Sequence, residues 1–329
     1  MNSPAAVSLF AALILGSGSA FANQPAEPSE SSESSESSEP ATESENLPVA
    51  ETQTGFTFEA RVHGSYLSDA DFDDGTGEFG FAEYGLGIKA SRRVGDMGML
   101  SIDFNAGIVD YDITPSATAV AGDAASIGSE FDTVTTLSLI GMYAARTDEG
   151  LSWFVGGGVL SNGENSADFG DTIDGMLMGG FRYKVNNKLE LGIGVAARTR
   201  LDDDVLVVPM PQVRYTINEY WSIESEGVGL KFNYKASDAL DYGLTAQFAS
   251  TTFRLDDSHA AAPEGIATHR RFPIAFYTIY EPNDTIEISG RIGAMMAGEL
   301  EILDTNGNDL TSQDIDTGIF GSINVSFKF

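Results

Sequence analysis

The stretch that decides the fold is residues 314–329, DIDTGIFGSINVSFKF. Ile315, Thr317, Ile319, Gly321, Ile323, Val325, Phe327 and Phe329 fall on one face of an extended chain, and Asp314, Asp316, Ser322, Asn324, Ser326 and Lys328 fall on the other. Phe320 is the one large apolar residue on the polar side. Alternation held over about 15 residues is the period of a β-strand, and the usual strand of a soluble sheet is only about five or six residues long. A strand of this length with one apolar face suits a tilted crossing of a bilayer, which takes about 9–11 residues.

Upstream, the same pattern recurs from Gly55 onward: an alternating segment, a tight turn, another alternating segment, then a longer polar loop. In the first segment Phe56, Phe58, Ala60, Val62, Gly64 and Tyr66 share a face opposite Glu59, Arg61 and His63. Short connections are expected near 92–98, 146–150, 186–187, 218–219, 237–240 and 282–284. Longer ones are expected near 67–77, 112–130, 162–173, 255–268 and 303–313. Asn186-Asn187 is a residue pair able to take the positive φ of a two-residue hairpin. With a turn near Gly227 and Val228, the chain yields fourteen strands; with 220–236 folded differently it yields twelve. Loops that alternate short and long belong to an all-β, antiparallel, up-and-down transmembrane β-barrel with its short turns on the periplasmic rim. Tyr183, Tyr215, Tyr234, Tyr280 and Phe329 sit near that rim on the apolar face, the place of an interfacial aromatic girdle.

The opposite face collects charge. Arg61, Lys89, Arg182, Lys184, Arg198, Arg200, Arg214, Lys231, Lys235, Arg271, Arg291 and Lys328 point to the expected lumen, with His63 and with Glu59, Glu83, Asp103, Glu190, Glu224, Glu287 and Glu299. Charges of both signs are tolerated in a wet interior and costly against lipid. The lumen-lining set singled out for function is Arg61, His63, Arg182, Arg198, Arg214, Arg271 and Arg291. The expected function is a porin-like channel for small polar or anionic solutes. The alternatives are a structural or adhesion barrel with a plugged lumen and a barrel hydrolase.

The N-terminal part reads differently. Residues 1–22 have the apolar core Ala5 to Leu15 and the small-residue exit Ala20-Phe21-Ala22 of a signal peptide. Residues 23–54 are rich in Ser, Glu and Pro, with too little apolar content to join a core, and are expected to form a disordered periplasmic spacer. The barrel then occupies 55–329. The formal net charge of −31 opposes binding to nucleic-acid phosphates. The absence of Cys excludes disulfides and thiolate chemistry.

No catalytic, cofactor or metal site is expected. Gly85-Leu86-Gly87-Ile88-Lys89-Ala90 and Gly192-Ile193-Gly194-Val195-Ala196-Ala197 match G-x-G-x-x-A, but they lie inside alternating strands with no helix to receive a phosphate. His63 near Ser65 is the only pairing that suggests a nucleophile and base; His259 and His269 have no such neighbour. Asp69, Asp71, Asp73 and Asp74, and separately Asp304, Asn306, Asn308 and Asp309, space oxygens as calcium loops do but lack the glycine and glutamate of an EF-hand.

The run Pro209-Met210-Pro211-Gln212-Val213-Arg214-Tyr215, with Trp221, Tyr234 and Phe253-Arg254-Leu255 after it, resembles a family of uncharacterised outer-membrane β-barrel proteins. The resemblance covers mainly the C-terminal half and implies a barrel without assigning an active site. The terminal aromatic is similar to the end of bacterial outer-membrane barrels. It implies the barrel-insertion machinery and outer-membrane lipids as partners, in a Gram-negative-type cell.

Overall fold

A computed structural model describes residues 55–128, 131–147, 149–199, 201 and 205–329. The expectations for residues 1–54 and for Arg200 lie outside these. The described chain is a closed, antiparallel, fourteen-stranded barrel.

Its strands are β1 (Thr57–Asp71), β2 (Gly77–Val94), β3 (Gly98–Pro115), β4 (Val134–Arg146), β5 (Leu151–Glu164), β6 (Ile173–Lys184) and β7 (Leu189–Thr199). There follow β8 (Val205–Thr216), β9 (Trp221–Ser225), β10 (Gly229–Lys235), β11 (Leu240–Gln247 continued by Ala249–Arg254), β12 (Ile266–Asn283), β13 (Ile286–Leu303) and β14 (Asp309–Ile315 continued by Gly318–Lys328). One short helix, α1 (Ala124–Gly128), lies in the β3–β4 connection. Each strand pairs with its sequence neighbour, and β14 returns to β1 from Glu59↔Lys328 to Leu67↔Phe320. Phe58 and Phe329 exchange backbone hydrogen bonds of 2.8 and 2.9 Å at the foot of this seam. The described strands form a closed ring of pairings at membrane level, the condition for crossing hydrocarbon with strands.

The outer face is apolar. Val62, Leu86, Ile88, Ile102, Val155, Leu177, Ile193, Phe276, Ile292 and Ile323 are all exposed on it, as a wall solvated by lipid requires. Around the short-turn rim the expected aromatics appear: Tyr183, Tyr215, Tyr280 and Phe329 are exposed, and Tyr234 packs against Trp221 and Tyr242 at centroid distances of 4.5 and 5.1 Å.

The short turns are made by asparagine in a way the sequence only half suggests. Asn186 accepts at Oδ1 from the amides of Lys188 and Leu189, Asn218 from Tyr220 and Trp221, and Asn283 from Thr285 and Ile286. Each is an Asx turn that folds the chain through its side chain. The positive φ expected at Asn186-Asn187 is not used: among described non-glycine residues it occurs only at Glu264 and Ala297. The turn at Gly227 (φ 58°) does separate two short strands, β9 of 5 and β10 of 7 residues.

Three expectations are corrected above the membrane belt. The expected loops are too long: β1 runs to Asp71, β14 begins at Asp309, and β12 begins at Ile266. A bulge at Ala297 (φ 47°) slips the β12–β13 register between Arg270↔Glu299 and Phe272↔Met296. Glu299 therefore leaves the lumen face and pairs outside with Arg270 at 2.9 Å. The closing strand breaks at Asp316-Thr317, so that Ile315, expected against lipid, is buried inside, and Asp314 takes the opposite face. One extra residue inverts every later side chain.

Candidate functional site: the lumen and its dome

Inside the barrel the lower and upper halves differ. The lower half carries the charged ladder. Arg61 of β1 reaches over β2 and donates from Nη2 to Asp103 (2.7 and 2.8 Å) and to Asn105 Oδ1 (2.9 Å). Arg182 meets Glu190 at 2.9 Å, Arg214 meets Glu224 at 3.4 Å, and Arg291 meets Glu226 at 3.0 Å. Lys328 bridges Glu281 and Glu287 at 3.0 and 3.1 Å. Arg198, higher up, donates from Nε to Asp174 at 3.1 Å, and both are buried. His63 Nε2 lies 3.7 Å from Glu83 Oε1. Six of the residues singled out from the sequence thus face a carboxylate within 4 Å, and the seventh, Arg271, stands over the Phe81 ring. Water reaches this wall, since the side chains of His63 and Arg291 are 32% and 35% exposed.

The first of the two glycine motifs serves this packing. A Cβ at Gly85 would stand 2.3 Å from the His63 ring, and one at Gly87 would stand 2.6 Å from Asn105 Oδ1 and 3.0 Å from Arg61. Both glycines leave the inner surface of β2 free for side chains from β1 to lie across it. Ser65, in turn, gives its hydroxyl to Glu83 at 3.2 Å. The sequence pairing of Ser65 with His63 is therefore not a nucleophile–base contact in this geometry.

The upper half is closed by an apolar dome that sequence reading missed. Gly163 of β5 and Arg254 of β11 form a parallel bridge across the barrel, leaving β6–β10 below and outside it. The upper ends of the nine other strands are thereby drawn into a narrower ring. A barrel of eight strands is filled by its own side chains while sixteen leave a channel, so the pinch converts a wide lumen into a packable one. Leu67, Phe72, Phe79, Phe81, Ile113, Phe253, Leu300, Ile302, Ile315 and Phe320 fill it, and α1 adds Ala124, Ala125 and Ile127. Tyr111 of β3 and Phe253 of β11, from opposite walls, stack at 5.3 Å, with Phe131 edge-on to Phe253 at 5.5 Å. Phe320, the apolar exception on the polar face of the closing strand, belongs here. The available signal was apolar residues at lumen parity, as with Phe79 and Phe81 in line with Glu83.

Arg254 ties the pinch. Its guanidinium donates to the backbone oxygens of Asp171 (3.3 Å), Glu264 (2.8 Å) and Leu201 (2.8 Å), which come from three connections. Glu164 accepts from the amides of Asp132 and Asp256 at 2.8 and 2.7 Å. Asp256 accepts from Ser166 Oγ at 2.6 Å, and that hydrogen bond, with those from Ser258, holds its carboxyl below the usual value. The acidic loops with calcium-like spacing use their carboxylates to shape turns. Asp304 accepts from the Asn308 side chain and from the Asn306 and Asn308 amides, and Asp74 from the Thr76 amide. Both carboxyls are lowered, that of Asp304 first by the Asn308 side chain and that of Asp74 first by Thr76.

No family model and no curated protein matches this chain. Among solved structures it is similar to the COG4313 outer membrane channel from Pseudomonas putida F1, at 11% identity over 84% of this chain and 96% of that one, with a TM-score of 0.46. It is also similar to the P. putida toluene transporter TodX, at 9% identity, 84% and 90% coverage and a TM-score of 0.41. The NanC porin gives 12% identity, 82% and 100% coverage and a TM-score of 0.36. All three likenesses are distant, and none bears on what this barrel handles.

Proposed function

We propose that the protein is a non-catalytic channel of the bacterial outer membrane, passing small polar or anionic solutes through a gated lumen. The observation that carries this reading is the water-exposed, ion-paired lower chamber, whose wall offers charges of both signs where a solute would exchange its hydration for side chains. Burying so many charges along one wall costs desolvation that a merely structural barrel could avoid with apolar packing. The belt of exposed apolar residues and the aromatic rim suit outer-membrane lipids. With the short turns facing the periplasm, both the entry to β1 and the terminal Phe329 stand on that side. There the spacer of residues 23–54 would begin, and the closing strand would be offered to the insertion machinery.

The dome favours a second reading, a barrel plugged for a structural or adhesive role. Planar-bilayer recording separates the two. A channel gives conductance steps that grow when the dome is loosened and change when Arg61 or Arg291 is replaced by Gln. Electrical silence in both the native protein and a dome-loosened variant would reject the channel.

A further inference from the structure

At the boundary between chamber and dome stand two opposite charges that approach without pairing. Arg271 of β12 is 8% exposed. Its Nη1 donates to Thr251 Oγ1 at 3.2 Å and lies 3.2 Å from His269 Nδ1, and its guanidinium carbon sits 5.4 Å from the centre of the Phe81 ring. Among the described residues these contacts leave Nε and Nη2 without a hydrogen bond, and no carboxylate stands at ion-pair distance from Arg271. Glu83 stands on the same face of β2 as Phe81, two residues or about 7 Å along the strand from the ring that Arg271 covers. It holds the Ser65 hydroxyl and faces His63 across a gap of 3.7 Å. A buried guanidinium is ordinarily matched by a carboxylate, because the desolvated charge is otherwise costly. Here the available carboxylate is near but held back toward β1.

We infer that Arg271 and Glu83 form a binding station at the top of the chamber for a small zwitterion, a solute carrying a carboxylate and an ammonium group close together, as an α-amino acid does. The carboxylate takes the free edge of the Arg271 guanidinium, whose fork suits two parallel hydrogen bonds. The ammonium takes Glu83, two residues along β2 from the Phe81 ring that Arg271 covers. A simple anion meets the repulsion of Glu83, and a simple cation that of Arg271, so the pair selects for a solute with both charges. This rests on the channel reading for its purpose, but binding can be measured in a protein that conducts nothing.

The test is equilibrium dialysis of radiolabelled phenylalanine against the detergent-folded full chain, with acetate and methylammonium as competitors carrying one charge each. Heat-modifiable migration in gels checks that each variant is folded. Phenylalanine is expected to bind at least tenfold more tightly than either competitor, and Arg271→Gln and Glu83→Gln each to weaken it at least tenfold. Lys188→Gln, in an exposed short turn where its ammonium donates to the Ile217 carbonyl oxygen, is expected to leave binding unchanged. Equal binding of acetate, no binding of phenylalanine, or indifference to both substitutions in folded protein would overturn the station. Silence in the bilayer together with zwitterion binding would instead reject only the channel.

Discussion

Replacing Phe253 by Ala should loosen the dome while sparing the wall beneath it. Phe253 is fully buried, stacked on Tyr111 and edge-on to Phe131, and it lies above the interruption at Phe248 that separates the two parts of β11. Truncating a buried Phe to Ala costs about 3–5 kcal/mol, transfer and cavity terms together. The membrane-level ladder from Leu240↔Tyr280 to Ala246↔Ile274 does not involve this side chain, so the loss falls on the dome. At about 1.4 kcal/mol per factor of ten, a 3 kcal/mol loss raises the population of opened domes by about a hundredfold. Two assays read this in the protein folded into vesicles. Trypsin should cut after Arg254 and Arg270 about a hundredfold faster than in the native protein, when reclosing outpaces cleavage. Planar-bilayer conductance should rise or appear. Unchanged cleavage together with unchanged conductance, in a variant shown to lack the Phe ring, would refute the dome as a closure of the lumen.

Arg254→Met removes three hydrogen bonds to backbone oxygens at the pinch. At about 0.5–1.5 kcal/mol each for partly exposed contacts, it should act in the same direction as Phe253→Ala and more weakly, read by the same trypsin assay. Arg61→Ala strands Asp103 in a half-buried position. The cost lies between the ~1 kcal/mol of an exposed pair and the ~3–5 kcal/mol of a buried one, measured as a lower urea midpoint. Adding Asp103→Asn should recover part of it. Asp256 has its carboxyl lowered by the Ser166 hydrogen bond. A depressed folded value stabilises above the unfolded value of about 3.9, and the benefit is lost as pH falls through the folded value. Protease resistance of the 255–265 connection should therefore hold at neutral pH and fall below about pH 4, whereas Asp256→Asn should flatten that dependence.

The membrane-level wall was legible because lipid and water enforce a strict two-residue period there. Val62, Ile88, Ile193 and Ile323 could be assigned to lipid, and Arg61, Arg182 and Arg291 to the interior, by counting alone. Counting fails where a single residue is inserted. The left-handed Ala297 sends Glu299 outward, and the break at Asp316-Thr317 sends Ile315 inward; a glycine follows each, Gly298 and Gly318, but with 36 glycines in the chain these two do not stand out. The dome was hidden for a related reason. Phe79, Phe81, Tyr111 and Phe253 sit at lumen parity, but the partner of each comes from a strand far away in sequence, and only the β5–β11 bridge brings them together. Arg271 was placed on the inner wall by its parity. That it lies beneath aromatic rings and short of Glu83 is a consequence of that same bridge. The G-x-G-x-x-A run at residues 85–90 shows the reverse case: a pattern with a known chemical use serves here as clearance for His63 and Arg61.

The central claim is that alternate side chains of one sealed sheet meet lipid and water, and the lack of native cysteine allows a direct test. Single cysteines placed along β14 in the vesicle-inserted protein should react with a membrane-impermeant thiol reagent admitted to the lumen at Ser322 and Asn324. They should stay protected at Ile319, Ile323 and Phe327, which face lipid, and at Ser326, which is buried against its neighbours. Uniform reactivity, or reactivity at the second set and protection of the first, would contradict the account.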